Sequence, residues 1–428
     1  VNSYPLSGYG IRVTDNEKGV VLSDKPILRP LDFQPVSHMG QQMWLLRDPL
    51  QLSSQQLIVP QGLAQMLMFL DGSRTRPQIH DAFCHLVGEP LEFEIVNNAL
   101  DQLDDALLLD NQRSQAAQQS LLDVYRAQPH RPPALADLSY PGDPAELARL
   151  FQTYGDGDDL NGWPPWHGRA LISPHIDYQR GGPVYAQVWR RAETAVLEAD
   201  LILIFGTDHN GGYGTVTLTR QPYATPYGVL PTDLNLIDEL AAAIGPKNAF
   251  GEELHHRSEH SVELSAVWLH HIYHQAGVAP KPMVPILCGS FHHFVSNGRR
   301  PDEDDLLNTA VFTLRRATAG KKVLAVASVD LAHVGPNFGD EFSMDNPRRK
   351  KLRQEDARLI QSVLQGDAAD FYTQIAAIQD RNRICGFSSI HTMLRFLGPV
   401  NGRQIAYDHC PADPQDTSLV SICGLLLE

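Results

Sequence analysis

The sequence predicts an α/β protein: a central, mostly parallel or mixed sheet flanked by helices, preceded by a small α+β unit. Three observations predict it. First, four short runs are continuously apolar: 170–173 (ALIS), 201–207 (LILIFGT), 283–289 (MVPILCG) and 322–330 (KVLAVASVD). Such runs are what strands buried on both faces show. Second, segments of helical period lie around them, at 184–196, 232–243, 260–274, 302–317 and 349–364. Strand and helix alternate, which places helices on both faces of the sheet. Third, the texture changes across 126–166, where AQPHRPPALADLSYPGDP and YGDGDDLNGWPPWHG are rich in Pro, Gly and Asp. That stretch reads as a linker between a first unit at 1–125 and an α/β domain at 167–428.

In the first unit, Gln42 to Asp48 reads as a strand closed by a turn at Asp48-Pro49. IVPQGLAQMLMFLDG follows, with Leu63, Met66, Leu67 and Leu70 at helical spacing and Gly72 as a C-cap. A second helix is expected from Thr75 to Val87, with Ile79, Phe83 and Leu86 on one face. A third is expected from about Leu91 to Leu109 (Phe93, Val96, Leu100, Leu103, Leu107). Strands plus three short helices predict a winged-helix-like module. It carries 15 acidic and eight basic residues over 1–125, so its third helix is a poor reader of a DNA groove.

The 428 residues are enough for two or three domains, and 43% hydrophobic residues are enough for a sizeable core. The formal charge of −15 argues against general nucleic-acid binding. No run reaches the roughly 18 apolar residues of a membrane helix. The N-terminal stretch lacks the basic and apolar regions of a secretory signal. Five scattered cysteines (Cys84, Cys288, Cys385, Cys410, Cys423) form no CxxC pair, which fits a reducing cytoplasm.

Chemistry gathers at the strand ends. The run ALIS ends in Pro174-His175-Ile176-Asp177-Tyr178, LILIF in Gly206-Thr207-Asp208-His209, and VLAVAS in Val329-Asp330-Leu331-Ala332-His333. Ligands bind beyond the carboxyl ends of parallel strands. Each of these ends delivers a His with an Asp within three residues. One such His is ordinarily structural; three in equivalent positions indicate a site, because imidazole is the commonest metal ligand and a neighbouring carboxylate can orient it. Ser258-Glu259-His260-Ser261-Val262-Glu263 opens a helix, with Ser258 as the expected N-cap and the glutamates as a complement to its dipole. Arg383-Ile384-Cys385-Gly386 precedes another helix (390–397), where a thiol gains thiolate character.

Taken in order, PHxxY at 174–178, GxxH at 206–209, EHSVE at 259–263, DxxHxG at 330–335, ICG at 384–386 and a C-terminal stretch with Gly424-Leu425 resemble the Memo family over about 169–428. QPYATPYGVLPTD at 221–233 resembles the family's segment between its second and third motifs. The resemblance implies a fold similar to class III extradiol dioxygenases. It implies metal ligands at His175, His209 and Cys385, with Asp330 and His333 beside them. It implies Fe(II) as the cofactor, with Cu or Zn as alternatives, and a radical-SAM enzyme as partner. Departures from the family pattern are Ile176-Asp177 in the first motif, Thr207-Asp208 and Asn210 in the second, and Phe387 after ICG; they spare the ligands and alter the pocket. The first unit is similar in size and element order to PqqD-like peptide-recognition modules.

Three functions compete. One is a non-haem iron redox enzyme, dioxygenase-like, acting on a small molecule with His333 as acid/base and Asp330 tuning it. The second is a non-catalytic partner that holds a peptide or protein for a radical-SAM enzyme. The third is metal-assisted hydrolysis with Asp177 or Asp208 as base. All three exclude nucleic acid and membrane as partners.

Overall fold

The computed structural model describes residues 24–38, 40–53 and 55–428, in two compact units that divide at 121/122. The first contains an antiparallel sheet of β1 (Asp32–His38), β2 (Gln41–Arg47) and β3 (Leu57–Pro60), in that order. Helices α1 (Gln61–Met66), α2 (Arg76–Val87) and α3 (Phe93–Asp105) follow. Leu46, Met66, Leu70, Ile79, Phe83, Val96, Leu100 and Leu103 fill its core.

Two local expectations are corrected here. Ile58 and Val59 pair with β2 instead of starting a helix. Gly72 is not a helix cap: the helical turn ends at Phe69, Asp71 bridges to Ile27, and Gly72, at φ 78°, donates its N–H to the Pro26 carbonyl at 3.2 Å. A Cβ at Gly72 would lie 2.8 Å from the Ile27 side chain. Thr75 and Gln78 do form a capping box at the start of α2.

Helices α4 (Gln112–Ala127) and α5 (Pro144–Tyr154) come next. Residues 126–166, expected as a linker, belong to the second unit, and Arg131, Tyr140, Leu147, Phe151 and Trp166 among them are buried. Arg131 is fully buried and paired with Glu263 at 2.6 Å. Phe151 of α5 stacks on Trp268 with ring centres 3.8 Å apart. Composition signalled turns here, but it could not signal the buried partners those turns reach.

The second unit continues with β4 (Ala170–Ser173), α6 (Tyr178–Glu198), β5 (Leu201–Thr207), β6 (Val216–Leu218), β7 (Tyr223–Thr225), β8 (Gly228–Leu230), α7 (Leu234–Ile244), α8 (Pro246–Phe250) and α9 (His260–Ala276). Then come β9 (Met283–Cys288), α10 (His292–Asn297), α11 (Asp305–Ala317), β10 (Val323–Ser328), β11 (His333–Val334), α12 (Asn346–Leu364), α13 (Ala368–Ala377), α14 (Phe387–Leu397), β12 (Gly402–Pro411) and β13 (Leu419–Leu427).

The sheet is mixed, in the order β11-β13-β4-β10-β5-β9-β6, with β12 paired to β13. Its centre, β4-β10-β5-β9, is parallel. Alternate residues serve opposite faces, as the pleat requires. Leu171, Ile202, Ile204, Leu324 and Val326 pack with Trp189 of α6 and Trp268 of α9. Ile172, Leu203, Phe205, Ala325 and Ala327 pack with α7, α11 and the helices from α12 to α14. The carboxyl ends of β4, β10 and β5 therefore lie side by side at one edge. Among the described residues, no helix is long and apolar enough to cross a membrane.

Candidate metal centre

His175 leaves the end of β4 with its backbone held from the neighbouring strand end. Asp330, just past β10, accepts the main-chain N–H of His175 at 2.9 Å and of Ile176 at 3.1 Å through one carboxylate oxygen. The ring Nδ1–H donates to the Ser328 carbonyl at 2.9 Å. A carbonyl only accepts, so the proton is on Nδ1 and the lone pair is on Nε2. Burial, then the neighbouring His209 and His260, hold the His175 pKa well below the usual imidazole value.

His209 leaves β5 and is held by a carboxylate. Glu259 accepts its main-chain N–H at 3.1 Å and its ring Nδ1–H at 3.0 Å. Burial opposes charge on this ring, but Glu259 and then Cys385 outweigh it and raise the pKa well above the usual value. Glu259 is almost wholly buried, and burial alone would raise its pKa; His209 overrides that and keeps the carboxylate ionised. His260 stacks on the His209 ring at 4.7 Å.

Cys385 arrives on the turn before α14. Its main-chain N–H donates to the Leu331 carbonyl at 3.0 Å, and that of Gly386 donates to the Asp330 carbonyl at 2.8 Å. A Cβ at 386 would lie 2.7 Å from the Val329 Cβ and 2.9 Å from the Asp330 oxygen, so only glycine lets the turn approach. Thr207 adds a hydroxyl that donates to the Cys385 carbonyl at 3.1 Å.

The outcome is convergence. Cys385 Sγ lies 3.1 Å from His175 Nε2 and 3.4 Å from His209 Nε2. Donor atoms of His175, His209 and Cys385 all fall within 4.8 Å of one another. These three, singled out from strand ends and a helix start, come from positions up to 210 residues apart.

Asp330 and His333 reach the same edge but not each other's side chains as expected. Asp330 spends one oxygen on the His175–Ile176 main chain, and its other oxygen stands 3.8 Å from His175 Nε2. Burial raises its pKa to about 6. His333 Nδ1 faces the Leu331 carbonyl at 3.3 Å, and its ring meets Phe338 edge-on at 5.1 Å. Asp330 is therefore the anchor of the His175 loop, not the orienter of His333. The reason is reach: the β10 end faces the β4 end across a parallel pair.

The three departures also find places. Asp177 N-caps α6 and pairs with Arg180 at 2.6 Å. Asp208 pairs with His255 at 2.9 Å. Phe387 is buried in the core, edge-on to Phe291 at 5.6 Å. The grip of Glu259 on His209 was missed, because the sequence offered Glu259 only as a capping group. It is indeed the N-cap residue, a role expected of Ser258, and accepts the His260 and Ser261 N–H groups. The same carboxylate does both. His260 carried no signal of its own.

The chain matches the Memo-like protein family over residues 131–425. A MEMO1 family protein of Aquifex aeolicus is 24% identical over 410 residues, covering 94% of this chain and 99% of that relative. One from Methanococcoides burtonii is 28% identical over 54% of this chain and 76% of its own length. One from Thermus thermophilus is 27% identical over 65% of this chain and 76% of its own.

Proposed function

The chain belongs to the Memo-like protein family, and on that premise we propose that it is a metal-binding redox protein, dioxygenase-like in fold and chemistry, with non-haem iron at His175, His209 and Cys385. The observation that carries this is the fixed orientation of the two rings. Both Nδ1 atoms are engaged, by Ser328 and by Glu259, and both Nε2 atoms approach one sulfur. Two imidazoles and one thiolate suit Fe(II), with Cu and Zn as rival occupants. Bound there, iron would supply redox chemistry and open coordination positions for a small substrate.

The chain's own groups divide the remaining work. Ser328 and Glu259 fix the two rings, as partners behind metal-bound histidines do. Asp330 fixes the approach of the His175 backbone. His333 is the acid/base: burial lowers its pKa to about 4, so at neutral pH it is unprotonated and able to take a proton from a bound substrate.

We read the first unit as a winged-helix-like, PqqD-like module that takes a peptide in a radical-SAM system. Its three-stranded antiparallel sheet and helices α1 to α3 support this. Its 15 acidic against eight basic residues argue against DNA. All five cysteines are free thiols, which supports a cytoplasmic location.

Metal analysis of anaerobically purified full-length protein tests the central claim. About one iron per chain is expected, with affinity that falls at acid pH as the ligands protonate. Failure to take up iron, copper or zinc under any loading would overturn it. Oxygen uptake by the iron-loaded protein with a panel of catechols then separates an enzyme from a non-catalytic partner that only holds peptide.

A further inference from the structure

A second group of unlike donors sits at the end of β5. Asp208 precedes His209 in the chain, yet its side chain meets a different set of groups. Its Oδ2 lies 2.9 Å from His255 Nδ1, and its Oδ1 accepts the Asn210 N–H at 3.1 Å. Glu252 takes the Gly212 N–H on both oxygens, at 3.0 and 3.2 Å, and the Thr217 hydroxyl at 3.5 Å. The Asp208 side chain is wholly buried and that of His255 is 12% exposed. One donor atom from each of Asp208, Glu252 and His255 lies within 4.8 Å of the others.

We propose that Asp208, Glu252 and His255 form a second divalent-cation site, distinct from the His175–His209–Cys385 centre, selective for an ion of the Mn²⁺ type. The donors come from two separate segments, the loop after β5 and the turn before α9, so this is not a run of surface acids. A plain His255–Asp208 pair would use two of the three groups. Glu252, held by the Gly212 N–H and the Thr217 hydroxyl, brings a third donor atom within 4.8 Å of that pair. A cation there would be shared by both carboxylates and the imidazole.

The donor chemistry sets the preference. Carboxylate oxygens suit Mn²⁺ and other hard ions, and one imidazole tilts the set toward first-row metals and away from Ca²⁺. The thiolate centre has the opposite taste, and Mn²⁺ stands lowest in the affinity order for such sites. Mn²⁺ therefore discriminates between the two. Filling this site would tie the 208–212 loop to the 252–255 turn. Those segments also carry His209 and lead into Glu259.

The test titrates Mn²⁺ alone into metal-stripped full-length protein, following the free-ion signal by electron paramagnetic resonance. About one bound Mn²⁺ per chain is expected in the unaltered protein and equally in Cys385→Ser. Roughly tenfold or greater weakening is expected in His255→Ala and in Glu252→Gln. Mn²⁺ should also raise the melting temperature of the unaltered protein and of Cys385→Ser, but not of those two variants. Glu252→Gln changes a partly exposed side chain without altering its size, so it decides the matter should His255→Ala fail to fold. Absence of Mn²⁺ binding overturns the proposal. So does binding that Cys385→Ser abolishes while His255→Ala and Glu252→Gln leave it intact. Neither result bears on iron uptake at the first centre, which is measured separately.

Discussion

Glu259 holds His209 at two points, accepting the main-chain N–H at 3.1 Å and the ring Nδ1–H at 3.0 Å, from the N-cap of α9. One buried carboxylate thus starts a helix, orients a ligand ring and favours positive charge on it. Ser261 and Val262 of α9 lie close to Gly206, where a Cβ would stand 2.6 Å from the Ser261 hydroxyl. That close approach brings the α9 N-terminus to the β5 end.

Replacing Glu259 with Gln should weaken iron binding roughly 10- to 100-fold, the usual cost of losing a carboxylate behind a metal-bound His. The poorer cap should also cost about 1 kcal/mol of stability. Competition with a chelator gives the first number and denaturant titration the second. Unchanged affinity with lowered stability would mean that Glu259 is a cap and nothing more.

Replacing His333 with Ala should leave metal occupancy largely intact and remove any turnover. Replacing His175 or Cys385 should empty the site. Asp330→Ala should side with the ligands, because Asp330 holds the His175 and Ile176 main chain. Metal content and melting temperature, measured together on the four variants, decide. If the His333 variant loses metal as fully as the His175 variant, His333 is a ligand and the role of Cys385 is wrong.

Arg131 and Glu263 form a pair with side chains 0% and 1% exposed. Arg131→Met should cost about 3–5 kcal/mol, because it removes the charge partner of a buried carboxylate and the donors to the His256 and Glu259 carbonyls. Arg131→Met combined with Glu263→Leu should be milder than the single change. Urea unfolding of the three proteins measures this; a single variant within about 1 kcal/mol of the unaltered protein would contradict it.

His391, buried on α14, has its pKa lowered to about 3 by burial and then by Arg395. The unfolded chain, with an ordinary imidazole near pKa 6.5, binds the proton more readily. Its contribution to stability is therefore full above about pH 6.5 and is lost as pH falls toward 3. The slope from this one group approaches about 1.4 kcal/mol per pH unit. Asp330, Asp356 and Asp380, each raised to about 6 by burial, act in the opposite direction over part of that range. His391→Gln isolates the effect: its stability should decline less steeply than the unaltered protein's between pH 6 and 4. Parallel curves would refute the buried neutral state.

The first unit should show no salt-sensitive binding to duplex DNA at micromolar protein. Its acidic excess leaves little counterion release to supply affinity. Fluorescence anisotropy across a salt series of the full chain checks this.

What the sequence by itself determined is local. Apolar runs at 170–173, 201–207, 283–289 and 322–330 became β4, β5, β9 and β10 because continuous burial writes itself into a continuous stretch of residue types. Polar groups just past those runs marked His175 and His209, since strand ends face the ligand edge. Helices α2, α3, α6, α7, α9, α11, α12 and α14 were legible for the same reason; α5, with Leu147 and Phe151 buried, was not, because the Pro-, Gly- and Asp-rich sequence around it reads as a linker. Tertiary structure decided what depends on neighbours far along the chain. The hairpin of β12 and β13 joins the sheet beside β4, with Leu426 opposite Leu171. The Pro-rich segment is anchored to the second unit because Arg131, itself fully buried, finds Glu263 from 132 positions away. Asp330 serves His175 across 155 residues instead of His333 three residues on. Periodicity reports which face of an element is apolar. It carries no record of which carboxylate a given N–H will meet, because strand order and loop geometry set that distance only once the whole sheet has assembled.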